Sequence, residues 1–325
     1  MAKKLFVGTA SYDDVGKILK RMGQGFEYQK LRKYQEVPPT EAIVFMNCGG
    51  SSLKGKQLRQ FVEAGGTVYA SCYQADAVKT AFGNVFSSKD VSKTGTLNAD
   101  VDDQGLATIV GSQMSLNFDT AWRYLVPASA VGGDLRVYLR SMRRRETTQD
   151  RGFFSSLFSN KITNVQDGTP LVLSYETGQG GTLFFTAFHN VVQKSEQEKD
   201  LLRFLLFRPL MARDLQRQRA AMQERAAKVE REFTGGLSRQ APEKAFELEY
   251  QANWSASISW AGQGKLRVEL CDSRGTVVAA EESWTSPLDV AGQINPDGKV
   301  RVRCTEFVQS EIPFSLVIAT GGATP

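Results

Sequence analysis

Short, continuous apolar runs alternate with helical patterns through the first half of the chain. Lys4-Leu5-Phe6-Val7-Gly8 reads as a strand closed by glycine, and Val15, Ile18, Leu19 and Met22 mark one face of a helix from Tyr12 to Met22. Phe26 to Leu31 is a candidate second strand. Ala42 to Met46 is apolar throughout, the pattern of a strand covered on both faces. A helix is predicted over Leu53 to Ala64, stopped by Gly65-Gly66, then a strand over Thr67 to Cys72 and a short helix over Tyr73 to Phe82. Strand–helix–strand–helix at this spacing predicts a parallel sheet with helices on both faces.

The pattern is less regular from Gly95 to Leu173, where Thr96 to Val101 and Leu135 to Arg140 read as strands and Phe118 to Leu125 as a buried segment around Trp122. Pro170 to Tyr175 and Thr182 to Phe188 are two strands joined by a glycine-rich hairpin turn. Ser195 and Glu198 form the S-x-x-E pattern of a capping box, so a helix starts there and runs to about Phe207, before Pro209. Met211, Leu215, Met222, Ala226, Val229 and Phe233 keep near-heptad spacing, predicting an exposed, weakly amphipathic helix over 210–233. After Pro242 the period becomes two, as in Phe246, Leu248 and Tyr250 or Val300, Val302 and Cys304, with turn sequences at 272–275 and 295–298. This predicts a small all-β sandwich.

The fold class expected is therefore α/β, a mostly parallel sheet with helices on both faces, followed by a linking helix and a C-terminal all-β sandwich. The boundaries expected are 1–209, 210–240 and 241–325. The 325 residues are 41% apolar and 23% charged, which excludes a disordered or collagenous chain. Forty basic against 35 acidic residues give a net charge of +5, too mild to imply nucleic acid by itself. No stretch reaches the roughly 18 apolar residues of a membrane helix, and the N-terminus lacks a signal-peptide pattern. The four cysteines, Cys48, Cys72, Cys271 and Cys304, form no C-x-x-C pair. A cytoplasmic protein with reduced thiols is expected. With no P-loop, dinucleotide fingerprint or metal-ligand spacing, neither cofactor nor metal is expected.

The single histidine, His189, closes a strand and is followed by Asn190. Ligands of open α/β sheets gather at the carboxyl ends of strands. Cys72 also ends a strand and opens a helix, a setting that favours thiolate. An imidazole beside it would complete a nucleophile–base pair, with Asn190 as a candidate to orient the ring. Cys72 is equally readable as a buried small hydrophobe, and His189 as a residue fixing the strand end. Asn47, Gly49 and Gly50 end the central strand and could offer backbone N–H donors to an oxyanion, or form a turn that needs glycine. Asp76 and Glu176 are possible partner carboxylates that no spacing selects.

The order strand–Cys72–helix, then a late strand ending in Phe188-His189, resembles the class I glutamine amidotransferase-like superfamily, whose fold is flavodoxin-like. Its cysteine sits in a G-x-C-x-G elbow and its histidine in F-H-P-E. The resemblance covers about residues 1–207 and implies Cys72 as nucleophile and His189 as base. Ala70 and Gln74 replace the elbow glycines, and Val191 stands where the orienting glutamate is expected. The glycine-rich hairpin and Phe188-His189-Asn190 are similar to those of a bacterial subgroup whose elbow often carries Asp. Residues 243–325 resemble the β domains of the pre-peptidase C-terminal type.

Arg143, Arg144, Arg145, Phe153 and Phe154 mark a basic, aromatic loop over 143–161, either a docking arm for a protein, nucleic acid or anionic membrane surface, or a lid. The helix at 210–233 could pair with a second copy or serve as a strut. Trp254, Trp260 and Trp284 are either a ligand platform or core. The function expected is a non-catalytic binding or scaffold protein with a protein partner, in a bacterial stress-response or conflict system, to which the subgroup resemblance points. The alternative is a cysteine hydrolase of amides or peptides using Cys72 and His189.

Overall fold

A computed structural model describes residues 4–22, 27–32, 37–40, 42–128, 134–142, 165–178, 180–225, 227–248, 252–261, 263–294, 297–308 and 311–321. The chain divides into two compact units. One is built on Lys3–Ile18 and Tyr28–Leu202, the other on Arg203–Pro325 with Leu19–Glu27.

The first unit is an α/β domain. Its elements begin β1 (Lys4–Val7), α1 (Val15–Met22), β2 (Tyr28–Lys30), β3 (Ala42–Met46), α2 (Gly55–Glu63), β4 (Thr67–Ser71) and α3 (Ala75–Ala81). There follow β5 (Phe86–Val91), β6 (Gly95–Val101), α4 (Gln104–Val110), β7 (Gln113–Phe118), β8 (Trp122–Pro127), β9 (Asp134–Ser141), β10 (Pro170–Glu176) and β11 (Thr182–Thr186). Nine strands form one mixed sheet in the order β2-β1-β3-β4-β11-β10-β9-β6-β7. The strands from β2 to β11 run parallel, and β10, β9, β6 and β7 extend the sheet with antiparallel pairs. Every residue of β3, β4 and β11 is buried. Both faces of the central strands are thus covered, which is why Ala42 to Met46 carries no polar alternation. β5 and β8 pair as a separate antiparallel ribbon.

The β10–β11 hairpin forms as its sequence predicts, closed by Thr177 N–H donating to Gly181 O at 2.8 Å. The capping box also closes in both directions. Glu198 N–H donates to Ser195 Oγ at 3.1 Å, and Ser195 N–H to Glu198 Oε2 at 2.5 Å. The helix it starts, α5, spans Glu196–Glu224 and contains Pro209. The expected stop before Pro209 is overridden, because Leu205, Leu206, Phe207, Met211 and Ala212 are all buried. That burial outweighs the roughly 3 kcal/mol an internal proline costs a helix.

The second unit is a sandwich of two four-stranded antiparallel sheets, formed by β12 (Lys228–Ser238), β13 (Glu243–Glu247), β14 (Ala252–Trp260), β15 (Gly264–Cys271), β16 (Val277–Ser283), β17 (Leu288–Ile294), β18 (Lys299–Phe307) and β19 (Glu311–Thr320). The orders are β12-β19-β14-β17 and β13-β18-β15-β16. Phe233, Phe246, Trp254, Trp260, Leu266, Val302 and Phe314 belong to the shared core. Two of the three candidate tryptophans are therefore core, and Trp284 is exposed.

The expected helix over 210–233 is corrected at its far end. The helix stops at Glu224, and Val229 and Phe233 lie in β12, paired with β19 along its whole length. Segment 238–242 is a tight turn in which Ser238 and Ala241 exchange backbone hydrogen bonds. The later part of α5 packs on the sandwich. Leu215 and Met222 cluster with Val317 and Ala319, and Gln218 Nε2 donates to Ser257 O at 2.6 Å. Glu232, nearly buried, accepts from Arg208 and Arg219. Arg143, Arg144, Arg145, Phe153 and Phe154 fall outside the described residues.

Candidate functional site

β3, β4 and β11 are neighbours and parallel, so the residues that follow them lie on one rim of the sheet. Cys48 follows β3, Cys72 follows β4, and His189 follows β11. Their ligand-capable atoms all lie within 4.8 Å of one another, and all three residues are buried.

Cys72 sits at φ 48°, in the left-handed region. A residue other than glycine stays there only where its surroundings enforce it, since such backbone costs of order 1–3 kcal/mol. Here the neighbouring hydrogen bonds enforce the bend. Ser71 Oγ accepts Cys48 N–H at 3.1 Å, tying β4 to the β3 loop. Gln74 Nε2 donates to Asn47 O at 2.7 Å and Gly50 O at 3.2 Å. The glutamine that stands in place of an elbow glycine is thus a brace for the elbow. A single 3-10 turn, Cys72–Gln74, leads into α3.

His189 Nδ1 is 2.7 Å from Asp119 Oδ1. Asp119 lies between β7 and β8, about 70 residues upstream in sequence. It supplies the carboxylate that the residues after His189 lack. Asn190 does a different job. Its Nδ2 and backbone N–H donate to the buried Asp13 carboxylate at 2.6 and 3.0 Å, and its Oδ1 accepts Tyr69 Oη–H at 2.7 Å. Val191 N–H adds a third bond to Asp13 at 3.3 Å. This network fixes the chain beyond the ring, and Gln193 Nε2 donates to His189 O at 2.9 Å. Tyr12, itself exposed, stacks on the His189 ring with centroids 6.2 Å apart.

The sulfurs differ. A hydrogen bond from Cys48 is the main influence holding the Cys72 thiol below its ordinary pKa; burial opposes it, and the Arg123 and Tyr73 backbone N–H groups add to it. Cys48 is pushed far up, first by that same bond and then by burial. Cys48 is thus the proton-bearing partner. Burial works against protonation of His189, but the Cys48 sulfur and the Asp119 carboxylate outweigh it and raise the ring to about 9. The Tyr73 N–H, next in the chain after Cys72, donates to Cys48 Sγ at 3.4 Å.

The other candidates are placed as follows. The Asn47 side chain accepts Val15 N–H and donates to Gly8 O, holding α1 to the sheet. Gly50 N–H donates to Asn47 O, and a Cβ on Gly50 would stand 2.0 Å from Thr9 O. Gly49, at φ 70°, has no room for a Cβ beside Tyr12. All three have local structural work. Asp76 pairs with Arg123, whose guanidinium lies over the Tyr73 ring. Glu176 ends β10, opposite Thr182 at the start of the antiparallel β11, and so lies toward the other rim of the sheet from His189. Cys271 and Cys304 are free buried thiols of the sandwich. Asp119 is not among the residues the sequence singles out, and Cys48 stands there only as one of four thiols, beside the Asn47, Gly49 and Gly50 candidates. Nothing local marks either one, because only the strand order brings them to His189.

No family model matches the chain, and no curated protein matches it. Among solved structures, a candidate GMP synthase component from Thermoplasma acidophilum is similar at 10% identity and a TM-score of 0.39, covering 68% of this chain and 98% of that one. The periplasmic inhibitor of g-type lysozyme from Aeromonas hydrophila covers 29% of this chain and 88% of its own, at 10% identity and a TM-score of 0.21. A carbohydrate-binding module in complex with calcium and xylotriose covers 29% and 92%, at 14% identity and a TM-score of 0.20. What the fold itself defines is an α/β domain with a mixed sheet, joined to an antiparallel β domain. Among the described residues no helix is long and apolar enough to cross a membrane.

Proposed function

We propose that the α/β domain is a cysteine-dependent amide hydrolase of the glutamine amidotransferase-like kind, with Cys72 as nucleophile, His189 as base and Asp119 as the residue that positions the ring. The observation that carries this reading is the combination of a left-handed Cys72 at the end of β4 with a histidine whose Nδ1 is held by a carboxylate. The Cys72 thiol proton passes to His189, attack of the sulfur on the carbonyl carbon forms the C–S bond, and collapse of the tetrahedral intermediate breaks the C–N bond. Tyr73 N–H, released from Cys48, is the donor at hand for the oxyanion. His189 delivers the proton to the departing amine, then takes one from the water that cleaves the thioester.

The test uses p-nitrophenyl acetate, an activated ester. The expected result is a burst of nitrophenol with one acetyl group mapped to Cys72, abolished in Cys72→Ser and retained in Cys271→Ser. His189→Ala and Asp119→Asn should slow it, by roughly 100-fold or more for the base. Acetylation of Cys72 no faster than that of Cys271 would overturn the reading.

One observation favours a second reading, a binding or scaffold role without chemistry: Cys72 is 0% and His189 2% exposed. Under it the same residues hold the rim of the sheet together, and the chain acts through contacts with a protein partner, as expected for a bacterial stress-response or defence component. Absence of the burst in folded protein is its expected outcome.

A further inference from the structure

In the hydrolytic scheme Cys48 only tunes Cys72 and His189 and forms no bond to substrate, yet its sulfur completes a compact set of donors. We propose that Cys48, Cys72 and His189 bind a thiophilic divalent metal ion, with zinc as the occupant the donor set fits. The inference does not rest on the hydrolase reading; an ion on the Cys72 sulfur would exclude acylation, so the two states of the site compete.

Four observations converge. Three adjacent parallel strands, β3, β4 and β11, each deliver one donor to the same rim. The donors are two sulfurs and one imidazole, a Cys2His set known for zinc sites that keep a fourth position open. Zn–S bonds of about 2.3 Å place tetrahedral sulfurs about 3.8 Å apart. Atoms already within 4.8 Å of each other need an approach of about 1 Å at most.

The second nitrogen of His189 is the third observation. Nε2 is buried and makes no hydrogen bond of normal length, with the Cys48 sulfur as its polar neighbour. A buried polar atom left unpaired costs about 1–3 kcal/mol and calls for an explanation. A metal ion that displaces the ring proton is the partner the Nε2 lone pair of the neutral ring suits. The fourth observation is that Nδ1 is held by Asp119 at 2.7 Å. A carboxylate behind a ligating histidine fixes its tautomer and raises its basicity. Charge is consistent with burial as well. A divalent ion with two thiolates and a neutral imidazole sums to zero, which a site 0–2% exposed tolerates far better than a bare charge. Hard cations are disfavoured, since they take oxygen donors.

The test is an anaerobic titration of the full-length, reduced, metal-free protein with cobalt(II), followed by zinc. The expected result is a thiolate-to-cobalt charge-transfer band that saturates at one ion per chain and is bleached by one equivalent of zinc. The band should be lost in Cys48→Ser and His189→Ala and kept in Cys271→Ser and Cys304→Ser. Asp119→Asn should weaken zinc binding about 10- to 100-fold. Circular dichroism of each variant reports whether it folds. Absence of the band in folded wild-type protein overturns the proposal, with no variant needed, as does a band that survives in folded Cys48→Ser. Ester acetylation of the wild-type protein without metal separates the two readings. A burst without a cobalt band removes the metal site alone, and a cobalt band without a burst removes the hydrolase alone.

Discussion

The Asp13 carboxylate shows how much one buried charge can organise. It is 1% exposed and accepts from Asn190 twice and from Val191 once. Asp13→Ala would leave those donors buried without an acceptor, and hydrogen bonds to a charged group are the costly ones to lose. Urea unfolding should show a loss of about 2–4 kcal/mol in Asp13→Ala. That Cys72 and His189 each follow a strand was legible in the sequence, since each ends an apolar run. Asp119 was not, because a lone aspartate between two strands looks like any turn residue until the sheet is ordered. The role expected of Asn190, orienting the ring, belongs to Asp119, and Asn190 itself is tied to Asp13 and Tyr69.

Local rules held where a segment's own side chains close its ends. The Ser195–Glu198 box is the clearest case, and Glu198 also accepts from Asn117 Nδ2 at 2.7 Å, binding the start of α5 to β7. Ser195→Ala should lower stability by about 1 kcal/mol, read as a shift of the denaturation midpoint. The β10–β11 hairpin was legible for the same reason. Residues 225–238 were not. Val229 and Phe233 are four apart, as on a helix, but a bulge between Val229 and Arg231 resets the strand and lets Phe233 and Leu237 face the core. Pairing with β19, far along the chain, chose the strand over the helix. α4, β5 and β8 escaped notice as separate elements because each is short and pairs or packs outside the regular alternation.

Two compact units predict two separable responses to mutation. Phe314 is fully buried in the sandwich core. Phe314→Ala should cost about 3–5 kcal/mol. Peptide-resolved hydrogen exchange should show faster exchange across β12 to β19, with β1, β3 and β4 unchanged; equal acceleration in both sets would show that the units unfold together. The α/β-then-all-β order was legible from the change of period near Pro242. The true start of the all-β part, Lys228, was hidden because β12 imitates the end of the preceding helix.

β19 lies between β12 and β14, pairing with both. A ribosome working from the N-terminus therefore delivers the flanking strands first and the strand that joins them after every other strand of the sandwich. Until it arrives, β12 and β14 each present an open row of backbone donors and acceptors to any extended segment nearby. Nascent chains stalled before Glu311 should accordingly be the form most dependent on chaperones.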